Sequence, residues 1–244
     1  MPRSPIPLLS ADPDSPFPAT ERALVEPDGL LATGGDLSPA RLLNAYRHGI
    51  FPWYSEGQPI LWWSPDPRNV FATDGVHLSS KFRRQMRHCD WTLRADTAFA
   101  EVIAACADTP RPGQDGTWIT DDMFAAYREM HRLGHAHSIE VFAGDRLVGG
   151  IYGLAIGRMF FGESMFSSES GGSKIALAGL AKLLCGWGWP WIDAQVENAH
   201  TRSLGSRLMP RASFVSEVGR LANEPAPAGS WSERVGAMAA SELF

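Results

Sequence analysis

This sequence has few of the features that mark an extracellular, metal-bound or membrane-spanning protein. It holds three cysteines in 244 residues, Cys89, Cys106 and Cys185. They are odd in number, far apart and never in a C-x-x-C pair, which argues against a disulfide framework or a zinc site and suits a reducing cytoplasm. The first twenty residues are rich in Pro and Ser and lack a sustained apolar run, so no signal peptide is expected. The most apolar later stretch, residues 175–192, is interrupted by Lys182, three glycines and Pro190, and no membrane span is expected there. Basic residues are not in excess: the formal net charge of −5 rules out a general attraction for nucleic acid and confines any RNA contact to a local basic patch. No internal repeat is evident. The G-x-x-x-x-G-K-[ST] pattern of a phosphate loop is absent from the small-residue stretch 167–174, which reads as a plain connection into a helix. His131, His135 and His137 have the spacing of a metal pair, but Gly134 ends the helix between them and no third ligand stands out, so no metal is expected.

What the chain does have is tryptophan and glycine, nine and 24 respectively, with the glycines concentrated between Gly144 and Gly188. The aromatics read first as core filler, and second as a lining for an apolar pocket or a platform for bases. Ser38 and Pro39 form a helix start that Gly49 ends. Helices are expected over residues 77–88, 98–107 and 121–133, the last capped by Thr120. Strands follow at 138–142, 147–155 and 159–166, separated by Gly144-Asp145 and Gly157-Arg158, as an antiparallel meander. A nearly all-apolar helix at 174–186 then leads into a strand at 191–196. The fold class is α+β, with a small N-terminal domain at 1–66 and a larger one at 67–244. The Pro-, Ala- and Ser-rich tail from Ala222 is expected to be poorly ordered.

Two acidic residues stand out because they interrupt apolar strands. In a strand at 191–196 side chains alternate, placing Asp193 and Gln195 on one face and Ile192, Ala194 and Val196 on the other. Glu163 sits among Phe160, Phe161, Met165 and Phe166. Buried carboxylates are costly unless paired or offered to a ligand, so these two either hold a cationic substrate group or serve local pairs, Glu163 with Arg146 or Arg158. Lys81, Arg83, Arg84 and Arg87 put four cations in seven residues on one helix, either a solvated face or the RNA backbone contact of an acidic chain.

Eight stretches, in order, resemble the leucyl/phenylalanyl-tRNA–protein transferase family: GLLATGGDLS at 29–38, AYRHGIFPW at 45–53, ILWWSPDPR at 60–68, GTWIT at 116–120, HAHSIE at 135–140, LVGG at 147–150, GESMFS at 162–167 and IDAQ at 192–195. The resemblance implies a small α/β domain followed by an acetyltransferase-like (GNAT-type) domain. It implies that Trp53, Trp118 and Tyr46 bind the aminoacyl-adenosine end of a tRNA. Asp193, Gln195 and Glu163 would form the reaction site. Ile151, Phe160, Met165, Leu177, Leu180, Leu184 and Ile192 would hold the leucine or phenylalanine side chain, and the basic helix would meet the tRNA. The implied partners are Leu- or Phe-charged tRNA and proteins that begin with Arg or Lys, acted on by a monomer without a cofactor. The chain departs from the family pattern at Ser168, where Arg is usual, at Gly172, where Ala is usual, and at Ala194, where Cys is common.

Such a reaction suits these residues. The donor ester is already activated, so neither ATP nor a metal is needed. An α-amino group has a reference pKa of about 7.7–8.0, so roughly a tenth is neutral at pH 7 and positioning carries much of the work. Asp193 would take the amine proton directly or through Gln195, or Gln195 would donate to the oxyanion. An acyl-CoA-dependent acetyltransferase fits less well, since 167–174 lacks the R/Q-x-x-G-x-G/A pyrophosphate pattern. A non-catalytic RNA-binding module leaves the buried acids unexplained.

Overall fold

A computed structural model of the chain describes residues 6–109, 119–226 and 229–243. The first part builds a four-stranded sheet from β1 (Leu8–Leu9), β2 (Leu30–Gly34), β3 (Phe51–Pro52) and β4 (Leu61–Trp63), ordered β1-β2-β4-β3, with α1 (Pro39–Arg47) between β2 and β3. The helix begins where expected: Ser38 accepts a hydrogen bond from the Arg41 N–H, and Pro39 occupies the first turn, where its missing N–H costs nothing. Gly49, at φ +73°, turns the chain back toward β3.

A second sheet has eight strands: β5 (Arg68–Ala72), β6 (Thr92–Ala95), β7 (Ala136–Ala143), β8 (Arg146–Ile156), β9 (Met159–Ser167), β10 (Trp191–Asp193), β11 (Arg207–Met209) and β12 (Met238–Ala239). Their order is β11-β5-β10-β9-β8-β7-β6-β12, antiparallel except for the parallel pair β9–β10. The helices are α2 (Ser80–Met86), α3 (Phe99–Asp108), α4 (Asp121–Arg132), α5 (Gly172–Gly186), α6 (Ala199–Ser203), α7 (Arg211–Leu221) and α8 (Trp231–Val235). The architecture is α+β, and the central meander β7-β8-β9 follows the expected alternation of strands and glycine turns.

Alternation sorts the side chains of the large sheet to two faces. Tyr152, Met159 and Phe161 join a core with α3, α4, α1 and the small sheet. Ile151, Phe160 and Ile192 join a second core with α5. The expected buried stripe of α3, Phe99, Val102, Ile103 and Cys106, is present in full. Helix α5 lies against β8 at backbone contact: a Cβ added to Gly149 would come within 2.4 Å of the Gly172 backbone. Only glycine at both positions lets the helix start so close to the strand.

Four expectations need correction. The basic helix spans only Ser80–Met86, because the Ser79 side chain caps it. The strand read at 191–196 stops at Asp193, for a reason given below. The strands β5 and β6 are absent from the sequence reading. The tail is ordered over 229–243: the buried Trp231 ring stacks on His137 at 4.2 Å and meets Trp187 edge-on at 5.0 Å, while β12 pairs with β6. One large aromatic supplies the apolar area that Pro, Ala and Ser do not.

Candidate active site

Eight of the residues singled out from sequence, Trp53, Ile151, Glu163, Met165, Leu177, Ile192, Asp193 and Gln195, line one cavity of about 350 Å³. That is near the low end for small-molecule sites. Glu163, Asp193 and Gln195 lie at its polar end; Phe71, Ile151, Met165, Leu177 and Ile192 supply an apolar wall; Pro52 and Trp53 come from the small sheet's β3 and the residue after it.

Asp193 is positioned by a buried ion pair that the sequence reading missed. Arg68, at the start of β5, donates from Nε to Oδ1 at 2.8 Å and from Nη2 to Oδ2 at 2.7 Å, and its third donor reaches the Gly49 carbonyl at 3.1 Å. The guanidinium lies over the Phe51 ring at 4.5 Å and the Phe214 ring at 4.6 Å. Both charged groups are almost fully buried, 1% and 0% exposed, so each is tolerable only because the other is there.

The same carboxylate ends the strand. Asp193 Oδ1 also accepts the Gln195 N–H at 2.9 Å, a local turn of the kind Asp favours, and Gln195 takes up φ +58°. The two side chains therefore do not share a strand face, as alternation predicts. The left-handed turn instead swings Gln195 toward Glu163, to which its Nε2 donates at 3.0 Å.

Glu163, on β9, is 8% exposed. Its partners are not Arg146 or Arg158, which bind Glu169 and Glu224 instead. They are two tyrosines: Tyr46 of α1 donates to Oε1 at 2.6 Å and Tyr127 of α4 to Oε2 at 2.9 Å, and the two hydroxyls also touch each other. Burial pushes the Glu163 carboxyl up to about 7, against the opposing pull of these hydrogen bonds. Burial, reinforced by the charge of Glu163, also raises both phenols well above the usual tyrosine range. Tyr46 is thus buried beneath Glu163 rather than turned toward an adenosine. Tyr127 escaped the sequence reading, where it looks like one more core aromatic of an amphipathic helix.

Of the seven expected pocket residues, Ile151, Met165, Leu177 and Ile192 line the cavity. Phe160, Leu180 and Leu184 are buried in the same core, one layer behind. Trp53 lines the cavity, and Trp118 falls outside the described residues. Lys81, Arg83, Arg84 and Arg87 are all exposed. Their helix docks beside the cavity, since the Phe82 ring packs against Gly171 and lies 5.3 Å from the Lys174 ammonium at the start of α5. The connection before α5 is tied down by Ser167, whose hydroxyl donates to Ser173 Oγ and accepts the Ser173 N–H. The imidazole groups are used locally: His131 reaches the Ala136 carbonyl and His137 the Asp96 carboxylate. Among the described residues no cluster of three metal-ligating side chains occurs, and no helix is long and apolar enough to cross a membrane.

Comparison with known proteins bears on what this cavity serves. The leucyl/phenylalanyl-tRNA protein transferase family model matches residues 70–219, and the model of that family's N-terminal domain matches residues 35–66. The leucyl/phenylalanyl-tRNA–protein transferase of Xanthomonas campestris pv. campestris (strain B100) is 70% identical over 97% of this chain and 95% of its own length. The protein of the same name from Xanthomonas oryzae pv. oryzae (strain MAFF 311018) is 68% identical over 99% and 96%, and that from Xylella fastidiosa (strain M23) 60% identical over 97% of each. Solved structures match only remotely: a functionally unknown conserved protein from Staphylococcus epidermidis ATCC 12228 gives a TM-score of 0.41 at 9% identity, covering 74% of this chain and 68% of that one, too distant to argue from. The family models and the near-full-length relatives agree, and this chain belongs to the leucyl/phenylalanyl-tRNA protein transferase family.

Proposed function

We propose that the chain moves leucine or phenylalanine from the 3′ end of a charged tRNA to the N-terminal Arg or Lys of an acceptor protein, marking that protein for N-degron-dependent degradation. It acts in the cytoplasm as a monomer, without metal or cofactor. Two domains serve the reaction, divided near residue 66, and the larger is acetyltransferase-like. The observation that carries the reading is a cavity with an apolar wall that closes on a buried carboxylate and an amide.

The donor side chain occupies the apolar wall, with Leu177 and Ile192 on either side. Trp53 and Trp118 hold the terminal adenosine, and the exposed cations of α2 meet the acceptor stem. Glu163 and Gln195 receive the acceptor amine. Arg68 offsets one of the two carboxylates, so the site keeps one negative charge for a basic N-terminus. With the ester already activated, holding amine and carbonyl in register supplies about 7–11 kcal/mol of the rate enhancement.

Two incubations of the purified chain test this. Radiolabelled Leu-tRNA with a peptide beginning in Arg gives labelled peptide under the proposal. Acetyl-CoA with the same peptide gives none. Binding of Leu-tRNA with no label reaching the peptide contradicts the proposal.

A further inference from the structure

Which group takes the amine proton follows from counting protons around Glu163. We propose that Glu163, closed into a hydrogen-bonded ring with Tyr46 and Tyr127, receives the proton of the attacking amine and returns it to the leaving 3′ oxygen, while Arg68 holds Asp193 as an anchor outside the chemistry. This rests on the aminoacyl-transfer reading above.

Three close contacts join the three groups: Tyr46 to Glu163 Oε1, Tyr127 to Glu163 Oε2, and Tyr46 to Tyr127. Each contact needs one proton between its two oxygens. The two phenols bring two. With the carboxylate ionised, both point at Glu163 and the contact between the tyrosines has no proton. With Glu163 protonated, the ring closes: Glu163 donates to Tyr127, Tyr127 to Tyr46, and Tyr46 to the other carboxyl oxygen. The arrangement is one proton short until Glu163 gains it, which suits a group that must capture a proton and release it again. Gln195 donates to Oε1 in either state.

Asp193 is held differently. Both of its oxygens accept from the Arg68 guanidinium, a fixed cation that takes no part in proton exchange, one of them also accepts the Gln195 N–H, and it is 0% exposed. Its task is to fix the left-handed turn that brings Gln195 to Glu163. Arg68 is therefore a positioning residue, one that acts through Asp193 and Gln195. The titratable or charged groups that bear on Glu163 are Tyr46 from α1, Tyr127 from α4, Tyr152 from β8, Asp193 from β10 and Arg68 from β5, and His200 of α6, its pKa lowered by burial, lines the same cavity.

The step balances. The neutral amine nitrogen bonds to the ester carbonyl carbon, and the carbon–oxygen bond to the ribose 3′ oxygen breaks. One amine proton passes to Glu163. Glu163 then delivers a proton to the 3′ oxygen, leaving a peptide bond, a free 3′ hydroxyl and the carboxylate as it began.

The test is the pH dependence of single-turnover transfer from Leu-tRNA to an Arg-starting peptide. Wild type is expected to show two ionisations on the acid limb, one of Glu163 and one of the amine. Glu163→Gln is expected to lose the first and to slow by at least about 10²-fold, the usual share of a general base, with the KM for charged tRNA unchanged. Tyr127→Phe removes a donor to the ionised form, so its limb moves to higher pH; a merely structural tyrosine would leave the limb in place. Asp193→Asn slows transfer without moving the limb. An acid limb that still shows two ionisations in Glu163→Gln, or one that moves with Asp193→Asn and not with Tyr127→Phe, overturns the proposal. Wild type without any transfer refutes instead the functional reading beneath it.

Discussion

Replacing Glu163 by Gln should make the protein more stable above neutral pH while impairing it as a catalyst. Burial raises the Glu163 carboxyl from an ordinary value near 4.5 to about 7. The native state thus holds a proton that the unfolded chain releases at lower pH. Stability from that proton is fully present below about 4.5 and is lost as pH rises through about 7. A separation of that size corresponds to about 3 kcal/mol at alkaline pH. Gln has nearly the same shape, keeps an acceptor for one tyrosine and carries no charge, so Glu163→Gln escapes this penalty. For a chain of this length, about 3 kcal/mol is a rise of roughly 6–12 °C in Tm. The gain should be under about 1 kcal/mol at pH 5 and full at pH 8.5. Glu140 is the control: it is 0% exposed, it too is raised to about 7 by burial, and its hydrogen bonds among the described residues run to Ser138 and Thr97, which do not line the cavity. Glu140→Gln should reproduce the thermal gain and keep transfer activity, whereas Glu163→Gln should gain stability and lose activity. The assay is differential scanning calorimetry from pH 5 to 8.5 beside a transfer assay. A Tm difference that does not grow with pH refutes the reasoning about the buried carboxyl.

Three further outcomes follow. Asp193→Asn breaks a buried ion pair by removing one partner, so chemical denaturation should show a loss of about 3–5 kcal/mol, and transfer should fall at least roughly tenfold; wild-type stability in that variant would contradict the Arg68 pairing. Reversing Arg83 and Arg84 to Glu should weaken charged-tRNA binding and flatten its salt dependence in a titration, with little effect on a short aminoacyl-adenosine donor; equal loss with both donors would indicate damage elsewhere. Leu177→Trp, which narrows the cavity itself, should depress Phe transfer more than Leu transfer, by about 10- to 200-fold at the outer limit, read from rates with each charged tRNA; an unchanged Phe-to-Leu ratio would show that Leu177 does not bound the side-chain pocket.

The site was legible in the sequence wherever a residue broke a local rule. Glu163 and Asp193 are charges in apolar strands, and each is paired or placed at a cavity. What was not legible was the partner chemistry. Arg68 lies 125 positions from Asp193 and Tyr127 lies 36 from Glu163, distances over which no periodicity carries information. Tyr127 also occupies the apolar stripe of α4, where a phenol reads like any other core ring. Gln195 was found for a mistaken reason: alternation placed it beside Asp193, but a turn made by the Asp193 carboxylate itself brings it to the site. Long elements with strong patterns, such as α3 and the β7-β8-β9 meander, were readable. The four-residue β6 was not, because its alternation is too short to stand out, and the tail's order depends on Trp231 filling a gap made by Trp187 and His137.

The account stands most directly on which donors and acceptors the cavity accepts. Leu-, Phe-, Ile- and Val-charged tRNA, each at the same concentration, would be incubated with peptides beginning in Arg, Lys or Ala, and the products weighed by mass spectrometry. The predicted result is addition of leucine and phenylalanine to the Arg and Lys peptides, with the β-branched donors slower by about 10-fold or more, because a narrow apolar wall admits side chains slim at the β-carbon. Equal use of isoleucine and valine, or equal modification of the Ala peptide, would contradict it.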